Sequence, residues 1–220
     1  SLEQNKIPAR SSYDQTLNRL SAGMSTQAQV LSAREAVTSA DASLLSAQSS
    51  LGQTKETLCL MLGWTYGAQV DIGDVPEPDL EGMTAINLEE DVSRGVENNY
   101  SLKILEKKIA NAKSGTNKTS LEQSLKSQKE TAASSIKNAY ESMMISKSDY
   151  EQALNTYEIE AAAMAAAERK MAAGTTTRND YVTQQTAFAA AQVNVRTQKL
   201  ALLKAQLEYR WSVDGLASVS

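Results

Sequence analysis

Residues 19–31 read RLSAGMSTQAQVL, and residues 168–182 read ERKMAAGTTTRNDYV; their glycines, Gly23 and Gly174, lie 151 residues apart. Each stretch is a glycine trailed by small polar residues, set between segments with strong helical character. Glycine suits the left-handed position that closes a helix C-terminus. Behind it, Ser25 and Thr26, or Thr176 and Thr177, can accept hydrogen bonds from the free N–H groups that open the next helix. Thr26 and Gln29 have the capping-box spacing. Each interruption therefore reads as the tip of a helical hairpin.

The flanking residues support this reading. After Gly23, apolar residues recur every seventh position at Val30, Val37, Leu44, Leu51 and Leu58, with Ala33, Ala40, Ala47, Thr54 and Met61 three places further on. At the same offset of 151, the second half carries Tyr181, Phe188, Val195, Leu202 and Tyr209 beside Gln184, Ala191, Gln198, Ala205 and Ser212. A sustained seven-residue period is the signature of a left-handed coiled coil, and a shared phase marks an internal duplication. Upstream of Gly174 runs another stripe, Ile136, Met143, Tyr150, Tyr157, Met164 and Met171; before Gly23 only Tyr13 and Leu20 match it. The tyrosines at 140, 150, 157, 181 and 209 read as seam fillers. A helix over 26–62 would run roughly 55 Å, and one over 120–172 roughly 80 Å. The leading helix of the first copy, 8–21, is too short to cover its partner, so Leu51, Leu58 and Leu62 must pack elsewhere or stay exposed.

Between the copies, residues 63–87 hold four glycines and two of the three prolines. They read as an extended connector with a short strand near 69–72. Asn87 can cap a helix over 88–113 with Val92, Val96, Leu102, Leu105 and Ile109 on its apolar face. Glu89, Glu90 and Asp91 suit the dipole of its first turn better than a metal. Residues 114–120 (SGTNKTS) read as a turn. The expected fold class is all-α: duplicated, antiparallel coiled-coil hairpins. Residues 1–62 form a shortened first hairpin, 63–87 the connector and 88–220 the second repeat with its tip near 174, all in one structural domain.

Composition narrows the function. The chain has 220 residues, a net charge of −4 and no histidine. Without histidine the commonest general base and most zinc sites are gone. The one cysteine, Cys59, reads as a small core residue. With the two charge signs interspersed, no basic stripe is evident to track a nucleic acid. No Gly-rich phosphate loop or paired nucleophile and base stands out, so the expectation is a non-enzyme with no catalytic residues, cofactor or metal.

The duplicated hairpin, the Arg19-Leu20-Ser21-Ala22-Gly23 tip, the alanine-rich heptads, the endings LCLMLGW (58–64) and YRWSVDG (209–215), and ENNYSLKILEKKI (97–109) together resemble the outer-membrane efflux protein family, the TolC-like exit ducts. The resemblance spans nearly the whole chain. It implies a homotrimer whose subunits build an α-barrel below a membrane β-barrel. It also implies tips that meet a periplasmic adaptor (membrane fusion) protein and, through it, an inner-membrane pump. Arg19, Gly23, Met24, Ser25, Gly174, Thr175 and Thr176 would be the adaptor-facing residues. The family's inner gate of aspartates would fall on Asp180 and on Thr183, of which only Asp180 keeps the carboxylate. The second tip departs in spacing, since Arg169 lies five residues before Gly174 and Lys170 lies four. The family's two membrane strands per copy have no room in the seven polar residues between 113 and 121, nor before residue 8. On this reading the chain as written makes no membrane contact, although the resemblance implies a cell-envelope, outer-membrane location. Two alternatives stand beside the duct. One is a barrel-less extracytoplasmic scaffold of the same family. The other is an adaptor hairpin, for which the expected glycine-rich β-domain is absent.

Overall fold

The computed structural model describes residues 2–65, 67–68, 73, 75–113 and 115–219. The fold is all-α, as the heptads predict, and no strand occurs among the described residues. The short strand expected near 69–72 lies outside the described residues. The helices are α1 (Leu2–Ser21), α2 (Gln27–Met61), α3 (Leu80–Thr84), α4 (Leu88–Asn98), α5 (Tyr100–Ala110), α6 (Gly115–Ala172) and α7 (Arg178–Trp211), followed by a π-helical turn, Ser212–Leu216.

The chain divides into two compact units, each assembled from both halves of the sequence. One comprises residues 1–74 and 155–194, and the other 75–154 and 195–220.

In the first unit α1 packs along α2, and Lys6 pairs with Asp41 at 2.7 Å. The seam residues Val30, Val37, Leu44, Ala33, Ala40 and Ala47 are all half-buried. Beyond Ala47 the seam opens, and Leu51, Leu58, Met61, Leu62 and Trp64 are exposed. Cys59 is buried, as its reading as a small apolar residue requires. In the same unit the second hairpin closes through stacked rings of Tyr157 and Phe188, 5.5 Å apart, and Gln184 Nε2 donates to Glu160 Oε2 at 2.7 Å.

The second unit holds the better core. Ile136, Met143 and Tyr150 of α6 are buried in one cluster with Leu202, Ala205 and Tyr209 of α7, joined by Met83, Val213 and Ala217. These are the heptad positions of the second copy, so the sequence period translates directly into burial. The connector is stitched onto α7: Gln206 Nε2 donates to Asp79 O at 3.0 Å and Lys199 pairs with Glu77. Tyr209 Oη donates to Asp91 Oδ2 at 2.5 Å, and Arg94 bonds the other oxygen. Asp91 is therefore an anchor for α7 as well as a first-turn acid. Burial and the adjacent Asp91 carboxylate push the Tyr209 phenol well above its ordinary value of 10.0.

Four local expectations need correction. The single helix over 88–113 is two helices, because Asn99 turns the chain between α4 and α5. Asn99 Oδ1 accepts from Ser101 N and Leu102 N at 3.1 and 3.2 Å, while its Nδ2 donates to Ala217 O at 3.0 Å. The buried side chain is fully occupied only in this bent form, which outweighs one more turn of continuous helix. The turn over 114–120 is helical from Gly115 on. Its small polar residues disfavour helix only slightly, and adding residues to a nucleated helix is cheap. In α1, Pro8 lies inside the helix, which begins at Leu2 and not at the proline. Within the expected connector, residues 80–84 form α3, capped by Asp79 Oδ1 accepting from Gly82 N at 2.8 Å.

Glycine permits the close packing of α4 on the π-helical turn. A side-chain carbon on Gly95 would stand 3.1 Å from Ser212 O and 3.2 Å from Val213 Cα. Gly215 adopts φ of 101° against the backbone of Asn98.

Candidate functional site at the hairpin tips

Both tips belong to the first unit, and they are built alike. At the first, Gly23 N donates to Leu20 O at 3.0 Å and Met24 N to Arg19 O at 2.8 Å, with φ of 71° at Gly23. At the second, Gly174 N donates to Met171 O at 3.1 Å and Thr175 N to Lys170 O at 2.9 Å, with φ of 67° at Gly174. Both are Schellman closures, in which the left-handed glycine lets two N–H groups turn back onto the last free carbonyls. The geometry also settles the spacing of the second tip: Lys170, not Arg169, is the counterpart of Arg19.

The helices leaving the tips start with matching caps. Gln29 N donates to Thr26 Oγ1 at 3.3 Å, Thr26 N donates to Gln29 Oε1 at 2.9 Å, and Ser25 Oγ donates to the same oxygen at 2.8 Å. In the other copy Asp180 N donates to Thr177 Oγ1 at 3.1 Å, and that hydroxyl donates to Asp180 Oδ2 at 2.7 Å. The sequence signals had offered two candidates per tip; the caps are Thr26 and Thr177.

Gln29 and Asp180 hold the same position in the two copies, but Gln29 accepts from the backbone N of its cap residue and Asp180 from the cap hydroxyl. Asp180 adds a negative charge in the first turn of α7, where the dipole favours it.

The remaining tip residues lie at or near the surface. Arg19, Gly23, Met24, Gly174 and Thr175 are exposed, and Ser25 and Thr176 are half-buried. Neither glycine has any atom within 4 Å of where a side-chain carbon would project. Among the described residues, no three histidine, cysteine, aspartate or glutamate side chains converge on a metal-sized site. No helix there is long and apolar enough to cross a membrane.

One feature escaped the sequence reading. The two charge signs are not evenly mixed: residues 103–129 carry seven lysines against Glu106 and Glu122, a net of +5 in a chain of net −4. A running count of charge along the chain reveals it, whereas the total conceals it. The segment covers most of α5, the start of α6 and the residues between them.

In comparisons with known proteins, no protein-family model and no curated protein matches this sequence.

Proposed function

We propose that the chain is a subunit of an exit duct in a tripartite efflux or export system, resembling the outer-membrane efflux proteins. In this reading it is a passive conduit and not an enzyme. Its two glycine tips dock a periplasmic adaptor protein, which links it to an inner-membrane pump, and it works in the cell envelope. The observation that carries the reading is the pair of tips. Two surface bends 151 residues apart keep the same glycine closure, and in both a threonine hydroxyl caps the next helix. Repetition of an exposed bend serves a repeated docking event more readily than it serves folding. The exposed seam of α2 beyond Ala47 supports self-association, and a homotrimer is the assembly proposed.

A second reading has its own support. Only four residues separate α5 from α6. A pair of membrane strands needs about 9–11 residues each, so this junction cannot hold the strands that the family pattern would place there. A barrel-less extracytoplasmic scaffold that keeps the docking tips but conducts nothing fits that junction.

Light scattering on the purified chain tests the assembly: a duct requires about three times the 23.8 kDa chain mass. Electron microscopy then separates the two readings. A ring with a lumen supports the duct, a closed bundle supports the scaffold, and a monomer at all concentrations counts against the duct.

A further inference from the structure

The lysine-rich segment has a layout that helix stability does not explain. Lys107 and Lys108 lie in the last turn of α5, where the helix dipole favours cations. Lys118, however, lies in the first turn of α6, where the dipole disfavours them, and no acid stands in that turn to compensate. Lys129 neutralises Glu106 at 2.9 Å. Among the described residues, Lys107, Lys108, Lys113 and Lys118 have no ion-pair partner, and all four are exposed. A cluster of like charges without counter-charges costs stability unless something outside the chain supplies the anions.

The apolar residues around it are equally informative. On α5, Leu102 and Leu105 face the core, while Tyr100 and Ile104 lie on the opposite, exposed side, in helical register with Lys107 and Lys108. Ile104 is 56% exposed and lines a groove of about 570 Å³ together with Lys107, Lys108 and Lys113. An aromatic and an aliphatic side chain amid lysines is the combination that binds a membrane surface, where headgroup charge and acyl boundary lie within one side-chain length. A nucleic acid read through its bases would favour arginines, whose fixed fork bonds base edges in pairs. Residues 103–129 contain no arginine. Lysine's mobile point charge suits a fluid array of headgroups instead.

We propose that the exposed face of α5, continued by Lys113 just beyond its end, is a peripheral docking surface for anionic lipid headgroups. This goes beyond the duct reading and does not depend on it, because a surface contact needs no spanning strand. It amends the sequence-based expectation of no membrane contact, which considered strands only.

Sedimentation of the full chain with vesicles tests the proposal. Vesicles of phosphatidylcholine mixed equally with phosphatidylglycerol should bring the chain down, those of phosphatidylcholine alone should not, and added salt should weaken binding. Replacing Lys107, Lys108 and Lys113 together by glutamine should cost on the order of a hundredfold in apparent affinity, at about fivefold per lysine. Ile104→Ser, with every charge kept, should cost roughly threefold to tenfold by withdrawing apolar area. These positions are exposed, so unchanged helicity by circular dichroism is expected for both variants. Equal sedimentation with both vesicle types, no sedimentation with either, a triple variant that binds like the parent, or binding to duplex DNA but not to vesicles would each overturn the proposal.

Discussion

Leu51 and Leu202 occupy the same position of a doubled pattern, 151 residues apart, in helices of 35 and 34 residues. Leu202 is 0% exposed and Leu51 is 57% exposed. One heptad later the contrast recurs, with Tyr209 at 6% and Leu58 at 43%. The pattern says which residues can be buried together. Whether they are depends on a facing helix. In the second unit α6 supplies Ile136 and Met143 to the seam; in the first, α1 ends its cover before Leu51.

The sharpest way to break this comparison is to empty both positions. Leu202→Ala should destabilise the chain by about 2–5 kcal/mol through lost contacts and a residual cavity. Leu51→Ala should stay within about 0.5 kcal/mol in the dissociated chain. Urea midpoints at concentrations low enough to keep the chain dissociated decide it; where copies associate, Leu51→Ala should cost more, because the proposed homotrimer covers the α2 seam.

Next in size is Tyr209→Phe. Losing a hydrogen bond to a carboxylate should cost about 1.5–3 kcal/mol at neutral pH, and no such bond exists at its counterpart Leu58. Because folding raises this phenol's pKa, its contribution is complete below the ordinary value of 10.0 and fades as the pH rises above it. Chemical denaturation across that range should show the parent losing more stability than Tyr209→Phe. Parallel alkaline curves would mean that the bond to Asp91 does not form in solution.

The smallest effects concern the tips, where the two copies are alike. Gly23→Ala and Gly174→Ala should each cost about 1–2 kcal/mol, since both glycines adopt positive φ in open space and only the backbone resists. Equal losses in thermal melts would confirm that the closures are equivalent; a tip much more sensitive than its twin would show that one bears on something further.

How legible the chain was follows the range of the forces involved. The tips were readable because glycine, threonine and the residue three places on act within one helical turn. The seam of the second copy was readable because burial there repeats with the heptad. The elbow at Asn99 was not, because it depends on a carbonyl at Ala217, 118 residues away. In ENNYSLK nothing marks that bond, and the apolar periodicity runs straight through it. The helical start at Gly115 was misread for the opposite reason: small polar residues were given the weight of helix breakers, although none is proline. The lysine face was hidden by averaging, its positive excess cancelled in the total by acids elsewhere.

The wide turn at Ser212–Leu216 bears on how the two copies are to be aligned. A constant offset of 151 pairs Gly63 with Asp214, yet backbone shape pairs it with Gly215, since these two glycines share positive φ at the ends of matching rods. The repeats are thus out of frame by one at their tails, and a π-helical turn is the place where a helix absorbs a single inserted residue. The wide turn takes up that one-residue difference locally, so the heptad positions upstream of it keep the phase of the other copy.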